Sequence, residues 1–217
     1  MVHSIQSITK SFINLLYPLH CAGCGKALDS SNQLSLCGHC KSAIRLNPNP
    51  PEDGVYSACL YDGVLKELIH MFKYNGRLSL TRVLSELMTN FVKDNPQILK
   101  DLNIVTFVPL QNSRLRKRGF NQSRILAFNT AKGLGLPLRD MLEKTIPTRQ
   151  QNTLSREGRL VNLKGAFRIK NGISIKGLRI LLIDDVMTTG ATLRECIKVL
   201  AQNGVKEVRC LTLARGI

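Results

Sequence analysis

Residues 180–192 of this 217-residue chain read Ile-Leu-Leu-Ile-Asp-Asp-Val-Met-Thr-Thr-Gly-Ala-Thr. The four apolar residues at the start of this stretch predict a strand that is buried on both faces, as in a parallel sheet. Asp184 and Asp185 follow the strand, a turn of small residues comes next, and the spacing from Leu193 to Ala201 is that of an amphipathic helix. The stretch therefore predicts a strand–loop–helix unit of an α/β sheet.

The loop after this strand has the chemistry of a site for a phosphorylated sugar. Ligands of open α/β sheets bind beyond the carboxyl ends of the strands, where backbone N–H groups and hydroxyls hold phosphate. A phosphate and a sugar diol together indicate a ribose 5-phosphate. We predict that its 5-phosphate is bound by Thr188, Thr189, Gly190, Ala191 and Thr192. Because the carboxylates of Asp184 and Asp185 would repel phosphate, we expect them to accept hydrogen bonds from ribose hydroxyls.

This run resembles the phosphoribosyl pyrophosphate (PRPP) motif of type I phosphoribosyltransferases. A chance buried strand with an acidic turn is the alternative, and the complete order of residue classes disfavours it. The Gly-x-x-x-x-Gly-Lys of a Walker A loop is missing from the sequence. The resemblance implies an α/β fold with a mostly parallel sheet of the type I phosphoribosyltransferase type, and Mg²⁺ arriving with PRPP. A fold does not by itself establish catalysis.

Two cysteine pairs near the start have the spacing of a zinc ribbon. Cys21 and Cys24 are two residues apart, as are Cys37 and Cys40, and twelve residues separate the pairs. This pattern predicts a tetrahedral Zn²⁺ site, which we expect to be structural because no acid or base chemistry lies nearby in sequence. Two disulfides are the alternative, although nothing else in the sequence indicates an oxidising compartment.

A proline-rich run marks the clearest boundary in the chain. We predict an N-terminal amphipathic helix and zinc-ribbon domain at 1–46, a linker at 47–54 and a phosphoribosyltransferase-like domain at 55–217. The helix is expected to dock on the body of the protein, with attachment to a membrane surface as the alternative. No apolar run approaches the ~20 residues of a membrane span, and no signal peptide is evident, so we expect a cytoplasmic protein.

Most of the net charge of +16 lies in one segment. Residues 110–179 hold 16 Lys and Arg against 3 Asp and Glu. Solubility alone is one explanation, but charge concentrated in this way usually meets an anion such as PRPP or nucleic acid. A polar, basic loop at 148–159 has the composition of a mobile lid, and a plain surface loop fits it equally well.

Several further motifs occur in order along the chain, together with the cysteine pairs and the Asp184 motif. They are Lys73-Tyr74-x-Gly76-Arg77, Val108-Pro109-Leu110, Arg-Gly-Phe-Asn-Gln at 118–122, Gln151-x2-Leu154-Ser155, Arg159-x2-Asn162 and Gly-Ala-Phe at 165–167. This set resembles the ComF family of competence-associated proteins over nearly the whole chain. Gly158 departs from the charged residue expected before Arg159, which leaves the local structure of the lid in doubt.

The ComF resemblance implies a zinc ribbon fused to a phosphoribosyltransferase fold and a role in natural transformation, the handling of imported single-stranded DNA. Competence proteins such as a DNA-translocating helicase are the implied partners, with single-stranded DNA as a further ligand. By motif match, Arg116, Arg118 and Gly119 would lie near pyrophosphate. Lys73, Tyr74 and Arg77 would lie near the same cleft.

Two functions fit this pattern. One is a PRPP- or nucleotide-binding protein of DNA uptake and processing, and the other is an active phosphoribosyltransferase that moves ribose 5-phosphate between PRPP and a nucleobase in salvage. The first is preferred because the sequence identifies no catalytic base. The cations at 114–118 follow a predicted strand end, where they could stabilise the charge that grows on a leaving pyrophosphate. A solvated basic surface is the alternative.

Overall fold

The computed structural model describes residues 19–29, 34–52, 54–145 and 165–216. The predicted N-terminal helix, the predicted lid at 148–159 and the motifs between 151 and 162 lie outside the described residues. The zinc ribbon, the basic segment that follows residue 110 and the Asp184 motif all lie within them.

The described part of the chain contains six α-helices and six strands. The helices are α1 (Gly38–Ser42), α2 (Gly63–Tyr74), α3 (Thr81–Asp94), α4 (Asn112–Arg118), α5 (Gln122–Leu134) and α6 (Ala191–Gln202), with short 3₁₀ turns at Leu78–Leu80 and Pro96–Ile98. The strands are β1 (Val55–Leu60), β2 (Ile104–Phe107), β3 (Leu142–Lys144), β4 (Phe167–Ile169), β5 (Arg179–Met187) and β6 (Glu207–Arg215). None of the described helices is long and apolar enough to cross a membrane.

Four of these strands form a parallel sheet in the order β1–β6–β5–β2. The motif strand β5 is therefore an inner strand, with Phe107 of β2 beside Ile183 on one side and Leu211 of β6 beside it on the other. β3 and β4 form a separate antiparallel pair. The prediction of a mostly parallel α/β sheet is confirmed.

The burial of β5 on both faces divides the core into two layers. Leu181 and Ile183 pack with α2, α3 and α5 on one face of the sheet. Ile180 and Leu182 pack with α6 and the β3–β4 pair on the other. All four side chains are fully buried, and this explains why the strand reads as a continuous apolar run rather than an alternating one.

The cysteine-rich segment packs on the first of these layers. Cys21, Cys40 and Ile44 belong to the same apolar cluster as the buried side chains of α2 and α3. The chain then runs antiparallel to the outer edge of β1, where Leu46 pairs with Cys59. The ribbon therefore shares its core with the larger domain, and the domain boundaries at 46 and 54 stay predictions.

A close approach of two helices gives a test of this packing. A Cβ at Gly133 of α5 would lie 2.9 Å from Cγ2 of Thr89 on α3. Gly133→Ala is therefore expected to lower the free energy of unfolding by about 1–2 kcal/mol, although alanine favours helices. In a Thr89→Ala background the obstructing atoms are gone, and Gly133→Ala should instead stabilise by about 1 kcal/mol. Urea denaturation of the four proteins measures both effects, and equal costs in both backgrounds would contradict the prediction.

Candidate functional site

A cavity of about 370 Å³ lies beyond the carboxyl ends of β1, β2 and β5. Its wall contains Asp184, Asp185 and the whole loop 188–192, which the sequence predicted to act together. Four cationic side chains also line it, those of Lys73, Arg114, Arg118 and Lys144. With four cations against two carboxylates the wall favours anionic ligands.

Asp184 is held in place by the start of helix α5. Its Oδ1 accepts hydrogen bonds from Ser123 Oγ at 2.7 Å and from the backbone N–H of Asp185 at 2.8 Å. Asn121 caps the helix by accepting hydrogen bonds from the N–H groups of Ser123 and Arg124, and its own amide donates to Val108 O at 3.0 Å. The ends of β2 and β5 are thereby joined through one helix N-terminus.

The two carboxylates differ in their electrostatic surroundings. Burial, with the neighbouring charge of Asp185, raises the pKa of Asp184 to about 7. Asp185 instead lies 2.9 Å from Lys73 Nζ through its Oδ2. Burial alone would lower the pKa of Lys73, but the charge of Asp185 and the hydrogen bond to it raise that pKa above its ordinary value. The cavity thus presents one ion-paired carboxylate beside one that titrates close to neutral pH.

The raised pKa of Asp184 predicts a pH-dependent cost to folding. An unfolded Asp has the ordinary pKa near 3.8, so between pH 4 and 7 the folded chain holds a proton that the unfolded chain has released. The free energy of unfolding therefore falls as the pH rises through this window. Asp184→Asn stays uncharged and does not share this loss. Its free energy of unfolding relative to that of the wild type should therefore rise by on the order of 2 kcal/mol between pH 5 and pH 8. Thermal melts across this range measure the gain.

The control for that measurement is Asp94→Asn, which removes a carboxylate from an exposed position at the end of α3. Its stability relative to wild type should stay constant between pH 5 and 8. A pH-independent difference for Asp184→Asn as well would show that Asp184 is ionised across the range.

The loop after β5 connects the carboxylates to the start of a helix. β5 continues past the carboxylates to Met187, and α6 begins at Ala191 after Gly190, whose φ of +68° is left-handed. Arg194 Nη2 donates to Thr189 O at 2.5 Å, which fixes the loop against the first turn of the helix. The N–H groups at the start of α6 thus border the cavity where we predicted phosphate.

The basic segment forms a helix, α4, whose two faces differ. Arg114 and Arg118 are four residues apart, so they share the face that lines the cavity. Arg118 also stacks over the ring of Tyr74, with 5.0 Å between its Cζ and the ring centroid. Arg116 is exposed, and Gly119 ends the helix at φ +82°; neither is among the residues that line this cavity. The roles of Arg116, Arg118 and Gly119 at pyrophosphate stay predictions.

The motif at 73–77 is divided in the same way. Lys73 and Tyr74, at the end of α2, line the cavity. Arg77 lies after the helix and outside the lining, with its Nη1 at 3.5 Å from Met71 Sδ. The predicted role of these three residues in the cleft remains to be tested.

Lys144 of β3 is a cavity residue that the sequence did not reveal. Burial, together with the charge of Arg114, lowers the pKa of Lys144 to about 8, and its Nζ lies 5.4 Å from the ring centroid of Phe167. Ser123 and Gln122, which directly follow the helix cap, were also missed as cavity residues. A three-residue strand carries no periodic signal, so only the tertiary structure places Lys144 here.

The four cysteines of the predicted zinc ribbon form a second site. Their sulfur atoms all lie within 4.8 Å of one another, and none of the cysteines is disulfide-bonded. The backbone N–H of Cys37 donates to Cys21 Sγ at 3.3 Å, and that of Cys40 donates to Cys37 Sγ at 3.4 Å. Gly23 makes room for the cluster, since a Cβ there would lie 2.8 Å from Cys40 Sγ. Four convergent thiols could hold a metal such as zinc.

Comparison with known proteins finds relatives that match nearly the whole chain. Competence protein F of Haemophilus influenzae is 33% identical over 211 residues, which cover 90% of each protein. The chain belongs to the ComF family. Another relative of this ComF-family protein is the DNA utilization protein YhgH of Salmonella typhimurium, 32% identical over 91% of this chain and 84% of that protein.

The phosphoribosyl transferase domain family matches residues 121–217 of the ComF chain. These residues include α5, the two carboxylates and the loop 188–192. Among solved structures, the adenine phosphoribosyltransferase of Leishmania tarentolae is 14% identical, with coverage of 87% of this chain and 89% of that protein and a TM-score of 0.40.

Proposed function

We propose that this ComF-family protein binds PRPP or a nucleotide in the cavity around Asp184 and Asp185, and that it acts in natural competence, in the uptake and processing of single-stranded DNA. One observation supports this choice of ligand: a single cavity is lined by two carboxylates, a threonine- and glycine-containing loop at a helix start, and four cations. The competence and DNA-utilization relatives support the cellular role.

The chemistry of the cavity wall matches the parts of PRPP. The loop 188–192 would bind the 5-phosphate through its N–H and hydroxyl groups, and Asp184 and Asp185 would accept from the ribose hydroxyls. Arg114 and Arg118 would neutralise pyrophosphate. Mg²⁺ would arrive with the ligand, since carboxylate and pyrophosphate oxygens are the donors it prefers.

The cysteine cluster has a structural role in this proposal. Zn²⁺ held by Cys21, Cys24, Cys37 and Cys40 would fix the ribbon, which offers a surface for competence proteins such as a DNA-translocating helicase. Such a partner works on DNA that has already entered the cell, so we place the protein in the cytoplasm.

An active phosphoribosyltransferase is the second candidate, and the cations of α4 favour it. In that reaction a nucleobase nitrogen bonds to C1 of the ribose while the C1–O bond breaks, and pyrophosphate leaves with the electron pair. Arg114 and Arg118 would stabilise the charge that develops on the leaving pyrophosphate. The group that takes the proton of the base stays unassigned, so no catalytic residue is proposed.

Isothermal titration calorimetry with Mg²⁺-PRPP tests the proposal. We expect a dissociation constant in the range of about 1–100 μM, and AMP is the nucleotide to compare with it. Wild-type protein that binds neither ligand would refute the proposed site. If PRPP binds, release of pyrophosphate on addition of adenine, guanine, hypoxanthine or uracil separates the enzyme from the binding protein.

Single-stranded DNA is tested separately by its salt dependence. Contacts between the basic segment and DNA phosphates should weaken linearly in the logarithm of salt concentration, with a slope set by the number of phosphates neutralised. Fluorescence anisotropy of a labelled oligodeoxynucleotide between 50 and 300 mM KCl measures that slope. A flat response would remove direct DNA contact from the proposal and leave DNA handling to the protein partners.

A further inference from the structure

Helix α4, which brings Arg114 and Arg118 to the cavity, has no buried side chain. The core therefore does not restrict the rotamers of these two arginines, and a ligand that binds a freely rotating side chain has to pay for ordering it. Arg118 is also repelled by the like charge of Arg114 on the same face. The position of Arg118 at the cavity thus depends on contacts outside the core.

The ring of Tyr74 supplies such a contact. Arg118 Cζ lies 5.0 Å from the ring centroid, and both side chains line the cavity. The charge of Asp185 attracts Arg118 as well, but Oδ2 of Asp185 is already paired with Lys73 Nζ at 2.9 Å. The face of an aromatic ring stabilises a cation placed over it, so Tyr74 holds the guanidinium against the cavity wall.

Tyr74 itself lies on a well-anchored part of the chain. It is the last residue of α2, directly after Lys73 with its ion pair to Asp185. One turn of the same helix also carries Phe72, which is fully buried and packs on the ring of Phe120 with 5.5 Å between the centroids. Since Phe120 follows α4, the ends of α2 and α4 meet in two aromatic contacts, one in the core and one at the cavity.

A ring contact has a consequence for anion binding that an ion pair does not have. The N–H donors of a guanidinium all lie in its plane, whereas stacking on a ring uses only the face of that plane. A carboxylate partner would instead occupy some of those donors. An arginine held by a ring is therefore ordered and still able to donate to phosphate oxygens.

We propose that Tyr74 is a positioning residue, whose ring holds Arg118 in place for the pyrophosphate group of the bound ligand. This inference rests on the proposed function. Without the ring the charge of Arg118 remains, but its side chain has to be ordered when the ligand binds. Ribose 5-phosphate lacks the pyrophosphate group, so its binding should not depend on Tyr74.

Calorimetric titration of Mg²⁺-PRPP and of ribose 5-phosphate into Tyr74 variants tests the proposal. We expect Tyr74→Leu to weaken Mg²⁺-PRPP about fivefold and to leave ribose 5-phosphate unchanged. Tyr74→Phe keeps the ring and should bind Mg²⁺-PRPP within about twofold of the wild type. Because Tyr74 is 61% exposed, the melting temperature of Tyr74→Leu should stay close to that of the wild type.

A double-mutant cycle with Arg118→Ala separates positioning from direct contact with the ligand. Arg118→Ala alone should weaken Mg²⁺-PRPP about 30-fold, because a charge-assisted hydrogen bond is lost. In that background Tyr74→Leu should cause no further loss, since the ring has no guanidinium to hold. The matched control is Phe128→Leu, which replaces a similarly exposed ring outside the lining of this cavity and should leave Mg²⁺-PRPP binding unchanged.

Several results would overturn the inference. An equal loss from Tyr74→Leu with and without Arg118 would mean that the ring contacts the ligand itself, and an equal loss of ribose 5-phosphate would place its effect elsewhere in the site. Full binding of Mg²⁺-PRPP by Tyr74→Leu or by Arg118→Ala would contradict it directly, as would a loss in Tyr74→Phe as large as that in Tyr74→Leu. Each of these leaves the PRPP site standing, whereas a wild type that does not bind Mg²⁺-PRPP refutes the proposed function itself.

Discussion

The double variant Asp184→Asn/Asp185→Asn is expected to bind Mg²⁺-PRPP at least about 100-fold more weakly than the wild type. Each carboxylate would accept a charge-assisted hydrogen bond from a ribose hydroxyl, and such bonds contribute about 1.5–3 kcal/mol each. An amide offers a single, weaker acceptor oxygen in the same volume. Calorimetric titration of both proteins at pH 8, where Asp184 is ionised, measures the difference.

The sign of this effect makes it informative. Removing two negative charges leaves Lys73, Arg114, Arg118 and Lys144 without opposing carboxylates in the wall, so a cavity that only attracted polyanions would bind PRPP more tightly. Pyrophosphate alone has no ribose and should bind the double variant as well as, or better than, the wild type. A double variant that binds Mg²⁺-PRPP at wild-type strength would mean that the carboxylates do not hold the sugar.

The carboxylates and the loop that the sequence predicted to act together belong to one continuous segment. Strand β5, the two carboxylates and the loop 188–192 follow each other without interruption, so the burial of the strand and the turn after it place them together whatever surrounds them. The four cysteines likewise lie within one short stretch of sequence, so the two pairs of thiols can meet without contacts from distant segments. Local patterns therefore determine these two features.

The cavity residues that the sequence did not reveal depend on longer-range structure. In the sequence the basic segment is a charged run near a strand end, and the helical spacing of Arg114 and Arg118 separates the cavity face from the exposed Arg116. Lys144 reaches the cavity from the β3–β4 pair, which forms by contact between segments more than twenty residues apart. Neither propensity nor spacing encodes such a pairing.

The position of Lys73 shows how tertiary contacts also set the chemistry. Its motif in the sequence gives a lysine beside a tyrosine at a helix end, with no carboxylate nearby in the chain. The fold brings its Nζ to Asp185, while burial and the charge of Asp185 raise the pKa of Asp184. Two adjacent aspartates that look equivalent in sequence thus acquire different electrostatic surroundings, one of them through a residue more than one hundred positions away.

Removal of the zinc proposed for the cysteine cluster is expected to destabilise the whole domain. Cys21 and Cys40 are buried in the same apolar cluster as Leu65 and Leu68 of α2, so an unfolded ribbon would expose part of the main core. Structural zinc contributes about 10 kcal/mol or more to the folding of isolated zinc-finger peptides. Even a fraction of that should lower the melting temperature by about 10 °C or more in a chain of this size.

The exposed cysteine gives the sharper version of this test. Cys24 is exposed, so replacing its thiol by a hydroxyl should have little effect on a metal-free fold, whereas a fourth zinc ligand is needed as much as the buried ones. We expect Cys24→Ser to melt about 10 °C or more below the wild type. Elemental analysis should find one zinc per chain in the wild type and less in the variant. A chelator should lower the melting temperature of the wild type to that of the variant.

The control is Cys59→Ala, at a fully buried position outside the four-cysteine cluster. This variant should melt below the wild type because of the cavity it leaves, and a chelator should lower its melting temperature further. If Cys24→Ser melted at the wild-type temperature, a metal held through Cys24 would not contribute to the stability of the fold.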